Sequence, residues 1–575
     1  MKKTLLLFAS LLIVLAIAGC SLDTTAGVFT GTPTYDDEDD EDVVTTVAGS
    51  SDITFTTTAV TITTANGTAS TTLPAGSTIS IDAGGVYVIT GAGEGNIVVS
   101  AGKDETVTLV LSGCDLTSPD GPVILAEQSG KLILNLADGT ANRLADRAGS
   151  TSDIHSVVFS NDDVTINGTG SLTIEANVGN GLNTDDDLVI TNGTIAITAE
   201  NNCLKANDSI TIKDATLTLT AGNDAIHCEN AESAENGLIT IESGVFTISA
   251  YGDGLDASHA VTIFDGTFMI VSGVNNASIA TVSGKGIKAT DAVAIAGGTI
   301  DIVSKDDAIH ANGTVVVAGG SIAITSNDDG IHADETLSIE GGEIDIRKSY
   351  EGLESLAIAV SGGTVRIKAS DDGINGAGGV DGSGTFPWGG QPRASAGNAS
   401  LSISGGYVYV DSTGDGLDVN GALSISGGVV IVNGPTASDN GALDYDSSFA
   451  MTGGILIAAG SMGMAQNVGS TSTQYGVLVN LTTASAKIVR IETADGTEVV
   501  TFRPSKNIQT IVICTPEFAR GTTYNVYLGG TVTDPTSSLD GVTAGGTYAS
   551  GTLYKTFTIT AIATTVGTSS GGGRP

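Results

Sequence analysis

Residues 293–336 read VAIAGGTIDIVSKDDAIHANGT and then VVVAGGSIAITSNDDGIHADET, copies of one unit laid end to end without a gap. Each copy holds an alternating apolar run, a Gly-Gly corner, a second alternating run, an Asp-Asp-x-Ile-His turn and a short exit. Period-two alternation marks strands with one buried face, and a unit this small buries that face only by stacking on its neighbours. The spacing, about 22 residues wherever no insertion intervenes, predicts an all-β solenoid of the parallel β-helix type. A propeller blade made of paired units would carry longer strands and its own aromatic signature, and a leucine-rich repeat would follow its strand with a helical segment.

Coils are expected to start near Val164, Leu188, Ile210, Leu238, Val261, Val293, Val315, Leu337, Ile358, Leu401 and Leu423. In the coil at Val315, the residues Val315, Val317, Ile322, Ile324 and Ile331 should point inward, with Thr325 and His332 facing out. Ala206, Cys228, Ala257, Ala289, Ala311 and Ala333 form a small inward column by the same alternation. Cys203 falls on an outward position and Cys228 on an inward one, which argues against a disulfide between them.

Before the array, Lys2 and Lys3 precede an apolar run that ends in Ile17-Ala18-Gly19-Cys20, which resembles the bacterial lipobox. That resemblance implies cleavage before Cys20, a lipid on its thiol, and an exported chain anchored to a bacterial membrane at the cell surface or in the periplasm. Residues 1–19 are thus the signal and 20–50 an acidic tether. Residues 51–163 form an N-terminal cap with the first coils, and 164–460 the regular array with an insertion at 376–398. Residues 461–562 make a small C-terminal β region, and 563–575 a flexible tail. The formal charge of −41 excludes nucleic acid as a partner, because phosphate binding needs clustered Lys and Arg. Membrane contact is expected through the lipid only, and the chain is expected to be a monomer.

The turns carry the chemistry. Aligned coils place Asp224, Asp253, Asp256, Asp306, Asp307, Asp328, Asp329, Asp371, Asp372, Asp415 and Asp418 in one acidic column. At an inter-strand spacing of roughly 4.8 Å and an effective dielectric of about 20, each like-charged pair repels by roughly 3 kcal/mol. Calcium suits such a column, since it takes oxygen ligands from carboxylates, carbonyls and water in flexible geometry. The competing reading is that Asp and Gly stand there simply as turn residues. His227, His310 and His332 repeat where other coils carry Asp256, Glu354 and Asp418, and read as face residues or sugar contacts. Trp388, in the insertion, is a candidate for stacking on a sugar ring.

The repeated [ILV]-x-[ILV]-x-Gly-Gly-x-[ILV]-x-[ILV] and Asp-x-Gly-[ILV] phrases, with Asp104-Glu105-Thr106-Val107 and Leu136-Ala137-Asp138-Gly139-Thr140, resemble a bacterial carbohydrate-binding domain family over roughly residues 53–459. That resemblance implies a right-handed helix, calcium along one edge, and cellulose or pectin-type polysaccharide as ligand, with His310, His332, Lys288 and Trp388 as contact candidates. The related family-nine polysaccharide lyases carry an Asp-Asp-x-x-Asp calcium cluster beside a catalytic Lys. Asp253, Asp256 and Asp224 with Lys288 are similar to it, although the first Asp of the phrase is Gly252 here. Calcium-dependent carbohydrate binding is therefore the leading reading, a calcium-dependent lyase the alternative, and a calcium-stiffened surface adhesin the third. Asn183-Thr184-Asp185-Asp186 and Arg366-Ile367-Lys368 resemble pectin-hydrolase motifs, but the companion Gly-His-Gly is absent.

Overall fold

The structure, a computed structural model, describes residues 51–63, 70–275, 282–377 and 398–568. Every regular element among them is a β-strand. The repeat seen in the sequence is a strand-by-strand parallel pairing between successive units, and it runs as three ladders. In the first, Val293 pairs with Val315 and Val315 with Leu337. The second aligns Ile300, Ile322 and Ile344, and the third aligns Ile309, Ile331 and Leu353. These registers place Val315, Val317, Ile322, Ile324 and Ile331 in one continuous buried core.

The Gly-Gly corner between the first and second ladders follows from backbone geometry. Gly320 has φ +90°, a left-handed conformation that side chains disfavour, and a Cβ on Gly319 would meet the Ala296 carbonyl oxygen at 2.4 Å. Both needs recur at Gly341-Gly342, Gly362-Gly363, Gly405-Gly406 and Gly427-Gly428, so the dipeptide recurs there, whereas earlier units turn at Asn192-Gly193, Asp214-Ala215, Ser243-Gly244 and Asp265-Gly266.

Three expectations need correction. The coil expected at Leu238 begins one residue later, because Ile210 pairs with Ile239 and the preceding loop absorbs the extra length. Cys203 is buried rather than outward. It stands in register with Ala225, in a column that also holds Gly254 and Gly286, where a Cβ would press within 2.6 Å of Ile270 or Ile302 from the second ladder. That corner position is packed whatever the alternation implies, and Cys203 and Cys228 remain free thiols. Finally, Ala563–Val566 is a strand paired in parallel with Gly476–Ser485, with Val566 in a second core, so the tail begins later than residue 563.

The ladders reach further toward the N-terminus than the regular turns do. Thr78–Ile81 pairs with Asn96–Ser100, and Asn96–Ser100 with Ile124–Gln128. The strands Ser51–Phe55, Ala59–Thr63 and Ser70–Pro74 add an antiparallel group at that end. At the other end, Ile508–Cys514 pairs antiparallel with Ile455–Gly460, and a separate antiparallel sheet lies beyond it. That region docks through Arg366, which bonds Asp540 and lies over the Tyr407 ring, and through Lys506 Nζ at 2.7 Å from Asp411. Arg366 thus serves packing between the two regions.

The turn column as a candidate metal and ligand site

The turn enters the third ladder, and its register fixes which side chains stack. One column runs Lys205, His227, Asp256, Lys288, His310, His332, Glu354, Asn375, Asp418 and Asp444. A second column stands three residues earlier in each unit, and its carboxylates fold back onto the backbone. Asp224 Oδ1 accepts the N–H of Asp253 at 2.8 Å, and Asp253 Oδ1 accepts that of Lys285 at 2.7 Å. Asp307 serves Asp329, Asp329 serves Glu351, and Asp372 serves Asp415 in the same way. One oxygen of each carboxylate therefore satisfies a turn amide of the next unit, while the other is left for charge chemistry.

The glycines of these turns make that arrangement possible. A Cβ on Gly252 would meet Asp224 Oδ1 at 2.4 Å, and one on Gly414 would meet Asp372 Oδ1 at 2.3 Å and Asp371 Oδ1 at 2.4 Å. The lyase phrase that needs an Asp at position 252 thus finds its place taken by an oxygen of Asp224.

Along the column the charges are balanced in different ways. Near its start, Asp224, His227 and Asp256 bring ligand atoms within 4.8 Å of one another. Lys288 Nζ lies 3.3 Å from Asp253 Oδ2 and 3.1 Å from Asp256 Oδ1. Burial, then Asp253 and Asp256, push the Asp224 carboxyl up to about 7. Burial opposes charge on Lys288, but Asp253 and Asp256 outweigh it and raise its pKa above the ordinary lysine value.

Further along, Asp306, Asp307 and Asp328 converge, and the buried Lys285 ammonium stands 2.9 Å from both Asp306 Oδ1 and Asp307 Oδ2. Lys285 occupies the carboxylate column itself. Laying Gly284-Lys285-Gly286-Ile287-Lys288 under Gly252-Asp253-Gly254-Leu255-Asp256 shows it there, a signal the acidic reading of the column passed over.

His310 and His332 are 3% and 2% exposed, so neither ring offers a surface to a polymer. Their assignment as sugar contacts is corrected on that ground: the side chains leave the strand on its outer side, but the turn carboxylates of their own and neighbouring units cover them. His310 Nδ1 lies 2.9 Å from Asp307 Oδ2, and Nε2 lies 2.9 Å from Asn312 Oδ1. His332 Nδ1 faces Asp329 Oδ2 and Glu354 Oε2, each at 3.4 Å.

At the far end, Asp372, Asp415 and Asp418 bring oxygens within 4.8 Å of one another. Burial, then Asp415 and Asp371, push Asp372 up to about 7; burial, then Asp372 and Asp415, push Asp418 up to about 8. Burial likewise raises Asp415 to about 6. Crowded carboxylates with no nitrogen among them have the donor set of a hard cation site. Asp371 stands beside this group, with its side chain on Tyr350. Trp388 and Cys20 lie outside the described residues.

Residues 75–330 match a family described as carbohydrate-binding domain-containing protein. A curated protein of that description from Acetivibrio thermocellus is 34% identical over 128 residues, which is 21% of this chain and 45% of that protein. The chain thus matches less than half the length of this relative. A solved polysaccharide lyase-like protein from C. thermocellum, determined as a gadolinium derivative, is 28% identical. The likeness covers 47% of this chain and 97% of that one at a TM-score of 0.36, a superposition too loose to define a shared fold.

Proposed function

We propose that this chain is a carbohydrate-binding protein whose three ladders wind as a right-handed parallel β-helix, and that calcium on its carboxylate column bridges an acidic or plant cell-wall polysaccharide. The match of residues 75–330 to the carbohydrate-binding description supports the ligand class. The observation that carries the calcium reading is the Asp372–Asp415–Asp418 cluster, in which Asp415 is buried and Asp372 and Asp418 are partly exposed, with Gly414 leaving room for the Asp371 and Asp372 oxygens. A cation held there keeps coordination positions for the carboxylate or hydroxyl oxygens of a sugar, because calcium takes six to eight oxygen ligands. Asp224 and Asp256 form a second, weaker candidate, since Lys288 already pairs with Asp256.

We further propose, from the resemblance of Ile17-Ala18-Gly19-Cys20 to a lipobox, that the protein is exported and held by a lipid on Cys20; Cys20→Ser should release it from the membrane fraction, and continued association would contradict the anchor. Carbohydrate binding is tested by retention on immobilised polygalacturonate, expected with calcium and lost with chelator. Equal passage through the column in both conditions would contradict it.

A further inference from the structure

The histidine part of the column has a donor set different from the rest. His332 Nδ1, Asp329 Oδ2 and Glu354 Oε2 lie within 4.8 Å of one another, and both His332–carboxylate separations are 3.4 Å. Neither carboxylate is a hydrogen-bond acceptor for the ring: both ring nitrogens of the buried His332 lack a hydrogen-bond partner, and the carboxylates face it as charges. Ligands at about 2.0–2.2 Å from a tetrahedral metal stand about 3.4 Å from each other, so the spacing matches an ion between these groups in place of the ion pairs that a protonated His332 makes with them. His332 Nε2 faces Asp334 Oδ1 at 3.3 Å, on the side away from this centre. A carboxylate there favours the tautomer with hydrogen on Nε2 and the lone pair on Nδ1, as is usual for a metal-bound imidazole.

We propose that Asp329, His332 and Glu354 form a site for a zinc-class divalent metal, separate from the calcium and carbohydrate reading above. The imidazole nitrogen selects against calcium, which prefers oxygen, and the carboxylates cancel the metal's charge in a buried place. Asp329 and His332 belong to one repeat and Glu354 to the next, so the ion clamps adjacent units. The family match ends at residue 330, ahead of His332 and Glu354.

The test is equilibrium dialysis of the full chain against zinc in excess calcium, with metal measured by mass spectrometry. Wild type is expected to retain about one zinc ion per chain, and His332→Gln and Glu354→Gln to weaken retention at least tenfold, since losing even an outer-shell partner of a ligand costs about that much. Asp415→Asn should leave it unchanged, which separates this site from the calcium cluster. Cobalt bound to wild type is expected to give the intense visible absorption of a four-coordinate N/O site, a readout independent of any variant's folding. Full displacement of zinc by calcium, retention unchanged in His332→Gln, or a cobalt spectrum like that of the aqueous ion would overturn the proposal.

Discussion

The Lys288 ammonium lies 3.1 Å from Asp256 Oδ1, one repeat away, and this ion pair decides what Lys288 can do. A lyase base must be deprotonated to take a proton from the carbon beside a uronate, yet Asp253 and Asp256 stabilise the charged form. Incubation with polygalacturonate and calcium is therefore expected to produce no unsaturated ends, followed by ultraviolet absorbance. Product formation that disappears in Lys288→Ala would replace the binder with the lyase.

Lys285 acts as an internal cation for Asp306 and Asp307. Replacing it by Met leaves buried carboxylates uncompensated, a loss of about 3–5 kcal/mol when one partner of a buried pair is removed. Calcium should then do what wild type does not need at this position: at hundredfold over its Kd it restores about 2.7 kcal/mol. Denaturant unfolding of wild type and Lys285→Met, each with calcium and with chelator, checks this: calcium should raise the midpoint more in the variant than in wild type, and an equal rise in both would show that the Asp306–Asp307 cluster does not take the ion.

How far these sites could be read from the sequence depends on the residue. Alternation and the Gly-Gly corner carry the ladders, because period two states which side of a strand each residue faces. The same alternation says nothing of depth beneath a neighbouring turn, and so His332, correctly placed off the core face, was expected to be open although carboxylates roof it. Cys203 failed in the opposite sense: a corner residue packs on Ile197 whichever side its parity assigns. The acidic column was legible as a stack of charges. That one oxygen of Asp224 or Asp372 belongs to a backbone amide of the next unit was not, since it depends on how the turn folds back. The Ala563–Val566 strand was hidden by its proximity to the Gly-rich end.

The carboxyls of Asp372, Asp415 and Asp418 are raised from 3.8 to about 7, 6 and 8. They bind protons more tightly folded than unfolded, so their contribution to stability is fully present below pH 3.8 and fades as pH rises through about 6 to 8. In chelator, the melting temperature should fall between pH 5 and pH 8 on their account. Saturating calcium, which binds the ionised cluster of the folded chain, should remove or reverse that fall. Thermal melts at both pH values check it; the same slope with calcium and with chelator would mean that no ion binds there.

Calcium-bridged carbohydrate binding is tested most directly by calorimetric titration of an oligogalacturonate into wild type and into the Asp415→Asn/Asp418→Asn double variant, each with calcium and with chelator. The bridging account predicts binding to wild type only with calcium, and at least a tenfold loss in the double variant, about 1.4 kcal/mol. Equal affinity in chelator, or an unchanged affinity in a folded double variant, would contradict it.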